Sequence, residues 1–164
     1  MAVLNHRITP HLSYAEVVRS QTATRLGIDN LPSSEHLENI RLTAEKLFEP
    51  LRALVSEERG KSTPLYISSF YRCPDLNRAI GGSAKSQHCL GQAIDLDIDG
   101  WYDDFDNADL FYLIEEELEF DQLIWEFGDD FKPAWVHVSY SRDINRGIIL
   151  RARRVNGKVE YIKY

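Results

Sequence analysis

The sequence predicts an α+β fold in which N-terminal helices pack on a small, largely antiparallel sheet. Three observations predict it. Leu37, Ile40, Ala44, Leu47, Leu51 and Leu54 recur at the spacing of one helix face in the first third of the chain. Ala93-Ile94-Asp95-Leu96-Asp97-Ile98-Asp99 and Trp135-Val136-His137-Val138-Ser139-Tyr140 alternate apolar and polar residues with the period of a strand. Asn156-Gly157 separates two strand-like stretches near the C-terminus, the residue pair that a tight hairpin turn demands.

In chain order, Ser13 or Tyr14 starts a helix running to about Thr22, with Ser13 and Glu16 spaced as a capping box. Asn30-Leu31-Pro32-Ser33 is a turn, and Ser34 caps a second helix from about Glu35 to Ser56. Pro50 removes one amide donor from that helix and is expected to kink it. Pro64 to Ser69 reads as a first strand, Pro74 to Ile80 as a short helix closed by Gly81-Gly82, and Gln92 to Asp99 as a second strand. Asp109 to Glu119 is a helix with Leu110, Leu113, Ile114 and Leu118 inward. Phe120 to Phe127 and Trp135 to Tyr140 supply two further strands, and Ile148 to Val155 with Lys158 to Tyr164 form the hairpin. No repeat or low-complexity linker interrupts this order, so one domain is expected over residues 1–164. Its parts are a helical stretch at about 12–58, a central core at about 64–141 and the hairpin at about 146–164.

With 43% apolar and aromatic residues, the chain can bury a sizeable core. No apolar run approaches the roughly 18 residues of a membrane span. Met1 to Arg7 lacks the apolar stretch of a secretory signal, so synthesis in the cytoplasm is expected. A net charge of −7 argues against a nucleic-acid partner. Arg142, Arg146, Arg151, Arg153 and Arg154 gather near the C-terminus and are read as exposed strand positions. Cys73 and Cys89 are too few for a disulfide framework and are read as reduced, small apolar residues.

The chemistry concentrates in Ser86-Gln87-His88-Cys89-Leu90-Gly91-Gln92-Ala93-Ile94-Asp95 and in Trp135-Val136-His137. On neighbouring strands Asp95 and His137 stand side by side on one sheet face, and His88 arrives from the preceding loop. Two imidazoles and a carboxylate are the ligand set of a catalytic zinc site with one position left for water.

These segments resemble the zinc D-Ala-D-Ala carboxypeptidase family of peptidoglycan peptidases, in the superfamily of lysostaphin-type enzymes and the Hedgehog signalling domain. The pattern S-x-H-x-x-G-x-A-x-D stands as Ser86, His88, Gly91, Ala93 and Asp95, and the later W-V-H-V-S strand as Trp135, His137 and Ser139. Ser68 to Asn77 resembles the family's S-x-Y-R-x-P-x-L-N segment, with Tyr71-Arg72 as its Y-R pair. The likeness is densest from Leu65 to Tyr140 and weaker from about Leu12 to Leu150. It implies zinc bound by His88, Asp95 and His137, and a peptidoglycan peptide as substrate. Arg72 is implied to receive the substrate carboxylate or to steady the carbonyl oxygen; Ser86 is read as a donor to substrate or a brace for the loop carrying His88, Gln87 and Ser139 as weaker candidates of the same kind, and Tyr71 as lining the pocket. Trp135 is either core or a wall for an alanyl methyl.

The chain departs from part of the family at the general base, because Ala134 stands where many relatives carry an acid. Glu126, at the end of Asp121-Gln122-Leu123-Ile124-Trp125-Glu126, is the expected base. Asp130, in the longer turn that follows, is the alternative. The reaction expected is hydrolysis by a D-Ala-D-Ala carboxypeptidase or an endopeptidase of the muropeptide stem. A phage or prophage lysin, reaching the wall after release, is compatible with it. The competing reading is a zinc-bearing wall-binding or phage structural module without catalysis. A monomer is expected.

Overall fold

The computed structural model describes residues 6–164; the N-terminal segment read above for a secretory signal lies mostly outside them. Short strands β1 (Arg7–Thr9) and β2 (Leu12–Ser13), which the sequence did not announce, pair with each other. Next come helices α1 (Tyr14–Val18), α2 (Gln21–Leu26), α3 (Ser34–Thr43) and α4 (Glu49–Glu58). Strand β3 (Ile67–Ser69) and helix α5 (Pro74–Ala79) lead to β4 (Ala93–Leu96). Helix α6 (Asn107–Glu117), β5 (Gln122–Glu126), β6 (Trp135–Ser139), β7 (Ile148–Val155) and β8 (Lys158–Lys163) complete the chain. The main sheet has the order β3-β4-β6-β5-β7-β8, antiparallel throughout except for the parallel β5–β7 pair.

Two helices differ from expectation at their interiors. Ser13 does form the capping box with Glu16, but the first helix stops at Val18, and Ser20 caps a new one by accepting from the Ala23 amide. A serine oxygen offers the backbone an alternative partner, so one segment becomes two. The second helix is capped by Ser33, not Ser34, and widens to a π-turn over Ala44–Phe48, where the Glu49 amide donates to the Ala44 carbonyl. Pro50 follows directly. Its ring would strike the carbonyl four residues back, and the wider turn removes that clash without breaking the helix.

The register decides which residues share a face. Ile94 opposes Val138 and Leu96 opposes Val136, while Leu123 and Trp125 oppose Val138 and Val136 from the other side. These six side chains belong to the buried apolar cluster with Phe48, Leu51, Leu110, Phe111 and Ile114 of the helical layer. On the other face, Asp95 opposes His137, and His137 opposes Ile124. One face of the sheet is therefore core, and the other carries the polar residues. Among the described residues no helix is long and apolar enough to cross a membrane.

Candidate metal centre and active site

His88 sits on a one-turn 3-10 helix, Gln87–Leu90, whose position is fixed from α3. Asn39 Nδ2 donates to the Leu90 carbonyl and Thr43 Oγ1 to the Gly91 carbonyl. Gly91 closes the turn at φ 73°, and a Cβ there would stand 2.8 Å from the His36 carbonyl oxygen. Only glycine satisfies both the left-handed backbone and that approach. Asp95 and His137 come from the paired strands β4 and β6.

The three side chains converge. His88 Nε2 and Asp95 Oδ1 are 3.1 Å apart, His88 Nε2 and His137 Nδ1 3.2 Å, and His137 Nδ1 and Asp95 Oδ1 2.9 Å. His88 is 2% exposed, Asp95 6% and His137 9%. The Phe70 carbonyl lies 2.6 Å from His88 Nδ1 and can only accept, so Nδ1 carries the proton and Nε2 turns a lone pair inward. Burial pushes the His88 imidazole below its ordinary pKa, against the pull of Asp95. Burial opposes the Asp95 charge, but a positive charge shared among the neighbouring imidazoles outweighs it whenever one is protonated, and holds that carboxyl below the usual range. A neutral imidazole and a carboxylate oxygen thus point lone pairs at one spot, which is repulsive until a cation occupies it.

The triangle has a size that suits zinc. A tetrahedral ion with bonds of about 2.0–2.1 Å separates its ligand atoms by about 3.3 Å, close to the three distances here. The residues present therefore fit the ion that the sequence suggests.

Glu126 lies on the same face, two residues along β5 from Ile124, which opposes His137. It is 6% exposed, and among the described residues its carboxylate makes no hydrogen bond or ion pair. Burial raises its pKa to about 7, with His137 and Arg72 pulling down and Asp95 pushing up. Asp130 is placed differently. It projects into solvent, 83% exposed at its side chain, and pairs with Arg151 at 2.7 Å. Arg151 opposes Trp125 on the core side of the sheet, so the turn does not fold Asp130 back towards the triad.

The remaining expected contacts separate into groups at the triad and groups away from it. Arg72 reaches the site, but its Nη2 donates to Asp95 Oδ2 at 2.5 Å and its Nε to Ser69 Oγ at 2.8 Å. Both donors serve to hold Asp95, which differs from the expected grip on a substrate carboxylate. Tyr71 points the opposite way, 3% exposed with its hydroxyl on His36, because successive residues of an extended segment alternate. Ser139 is fully buried and accepts the Gln122 amide, so it joins β5 to β6. Gln87 braces its loop through Asp121, which Arg146 also grips. Ser86 is half-buried at the start of the 3-10 turn. Trp135 is half-buried on the site face against Phe127.

Three positioning groups escaped the sequence reading. Buried Asn30 donates to the Val18 and Tyr71 carbonyls and accepts the Cys73 amide, clamping the segment that carries Arg72. Asn39 and Thr43 do the same for the His88 turn. Apart from Val18, 12 residues before Asn30, their partners lie 41 to 51 residues away, so no local pattern reveals them. Tyr161 of β8 is the fourth omission: it shares the site face through Ala152, which opposes both Tyr161 and Glu126. Cys73 and Cys89 are both free thiols.

The Peptidase M15 family model matches residues 10–139, most of the chain and the whole triad with Glu126. The chain belongs to the Peptidase M15 family. M15 peptidases are zinc-dependent, which agrees with a buried His-Asp-His group able to hold a metal ion. The protein is accordingly a metallopeptidase by family, and its substrate class is peptide. The M15 match ends at the last residue of β6, before the β7–β8 hairpin. Comparison with curated proteins gives no match.

Proposed function

We propose that this protein is a zinc peptidase that hydrolyses a peptide bond in the stem peptides of peptidoglycan. His88, Asp95 and His137 hold the ion, and Glu126 is the general base. The observation that carries this reading is the convergence of His88 Nε2, His137 Nδ1 and Asp95 Oδ1 beside a buried carboxyl, unpartnered among the described residues, on the same sheet face. Bound zinc would supply Lewis-acid polarisation of the scissile carbonyl and make a water acidic enough to attack near neutral pH.

The chain's own residues do the rest. The Phe70 carbonyl fixes the His88 tautomer, and Arg72 with Ser69 fixes the Asp95 rotamer, so the ligands are pre-set before substrate arrives. Glu126 takes a proton from the attacking water onto a carboxylate oxygen and returns it to the leaving amine. Burial that raises the pKa of the Glu126 carboxyl suits both halves of that task, because the same group must be base and then acid at one pH. Ile124, 6% exposed on this face, helps keep water from the carboxyl and so sustains the raised value.

Digestion of purified muropeptides by the zinc-loaded protein, read by mass spectrometry, tests the proposal. A mass loss at a stem peptide bond that disappears on chelation is expected. Loss of a single terminal alanine identifies a carboxypeptidase, and a cut within the stem an endopeptidase. No cleavage of any muropeptide, with zinc bound, would assign the fold to wall binding without catalysis. A lysin role predicts in addition that the protein clears intact cell walls supplied from outside.

A further inference from the structure

An open groove of about 520 Å³ begins where the metal face ends, lined by Phe127, Trp135, Ala152, Arg153 and Arg154 among others. Trp135 and Ala152 are the two residues that oppose Glu126, so the groove continues directly from the proposed base. Phe127, at φ 54°, turns its ring against Trp135 at 5.3 Å, and the Arg154 guanidinium lies 5.3 Å from that ring's centre. The other arginines of the C-terminal region are occupied: Arg142 by Glu38, Arg146 by Asp121 and Arg151 by Asp130. Among the described residues Arg153 and Arg154 have no carboxylate partner. On a chain of net charge −7, the unpaired Arg154 shares the face of Ala152 and lines the groove beside the site.

We propose that this groove binds a carboxylate of the peptide substrate, with Arg154 as the anion-binding residue and Trp135 and Phe127 as the wall along which the peptide lies. The inference rests on the reading of the triad and Glu126 as the active site, and it deepens that reading by naming a specificity element. Register sets the distance. Arg154 lies four residues along β7 from Leu150, the residue level with Ile124 and His137, and two strands across from β6. At about 3.3 Å per residue and about 4.8 Å per strand its Cα is roughly 16 Å from that of His137. The side chain can reach back by several ångströms, so the anion sits about 10 Å from the triad, or three residues of extended peptide. A carboxylate that far from the cut is not the one freed at the cleaved terminus. The groove therefore favours cleavage within a longer acidic peptide over removal of a single terminal residue.

Two measurements test it. In the first, triglutamate and triglutamine are titrated into the zinc-loaded protein and into Arg154→Met, with tryptophan fluorescence as the readout. The methionine keeps an apolar stem over Phe127 and removes the charged fork. Wild type should bind triglutamate about 10-fold more tightly than triglutamine at low salt, and Arg154→Met should lose that preference. Equal affinity in wild type, or a preference that survives in Arg154→Met, overturns the proposal. In the second, muropeptides with free carboxylates are compared with the same muropeptides converted to amides. Amidation should lower wild-type kcat/KM about 10-fold and leave Arg154→Met nearly unaffected. Equal loss in both proteins overturns the groove. Glutamate binding that depends on Arg154 in a protein cleaving no muropeptide upholds the groove and overturns the active-site reading.

Discussion

At the scale of single residues, Glu126 carries the strongest test. Its folded-state pKa of about 7 stands above the ordinary 4.5, so in the metal-free protein its ionisation costs stability. That cost is absent below about pH 4.5, grows as pH rises to about 7, and is complete above it. Glu126→Gln removes the charge without changing shape. Urea unfolding of the chelated proteins should therefore find equal stability at pH 4 and a variant more stable by up to about 3 kcal/mol at pH 8. Equal stability at both values would contradict a buried, uncompensated carboxylate. With zinc restored, the variant should bind metal normally yet hydrolyse about 10²-fold more slowly, and the acid limb of its kcat/KM profile should vanish. Asp130→Asn should stay near wild-type rate, since its carboxylate faces Arg151 and solvent. The opposite ranking of the two variants would transfer the role to Asp130. Arg72→Lys is expected to weaken zinc affinity 10- to 100-fold, because the fork that spans Asp95 and Ser69 is lost. Turnover should recover at saturating zinc. Turnover that stays low there would return to Arg72 the substrate contact that its motif implies.

At the scale of elements, the His88 turn and the C-terminal hairpin show what short-range pattern can reveal. Asn156 and Gly157 take φ 52° and 77°, and β7 and β8 pair from Val155 and Lys158 outward, as the Asn-Gly pair requires. Turn chemistry is local, so it was legible. The strands around Asp95 and His137 were legible for the same reason, since alternation is a property of adjacent residues. Gly91 was visible as a motif position, but its neighbour was not. The His36 carbonyl and the Ile40 side chain crowd that position from α3, and a chain pattern does not say which helix approaches. Gly91→Ala should destabilise the protein by about 1–3 kcal/mol and displace the turn that carries His88. Calorimetry and zinc titration together check it. A variant with wild-type melting and wild-type zinc affinity would show that the turn tolerates the side chain.

At the scale of the whole molecule, the sheet separates two tasks. One face is sealed by helices around Phe48, Leu96, Phe111, Trp125 and Val136, and needs no ion to hold it. The other carries the triad. Chelation should therefore release one zinc per chain and abolish hydrolysis while far-UV circular dichroism stays native. Collapse of the spectrum on chelation would make the site structural. His137→Ala should lose the metal, and full zinc occupancy in that variant would refute the ligand assignment. Removal of the ion leaves two imidazole nitrogens and a carboxylate oxygen facing one another, so the chelated protein should melt at lower temperature than the loaded one.

The sequence by itself determined the α+β class, the hairpin, the strands that bear Asp95 and His137, and the family of the chain, because periodicity, turn residues and motif spacing are written in neighbouring positions. It also named Glu126, although only the β5–β6 register could place that residue on the metal face: a slip of one residue would have turned it into the core. The tertiary structure alone decided the rest. It committed Arg72 to Asp95, buried Tyr71 and Ser139, turned Asp130 outward, and brought Asn30, Asn39 and Thr43 to the loops they hold. Those outcomes depend on which donor meets which acceptor across 20 to 50 residues of chain, a pairing that only the packed fold can select.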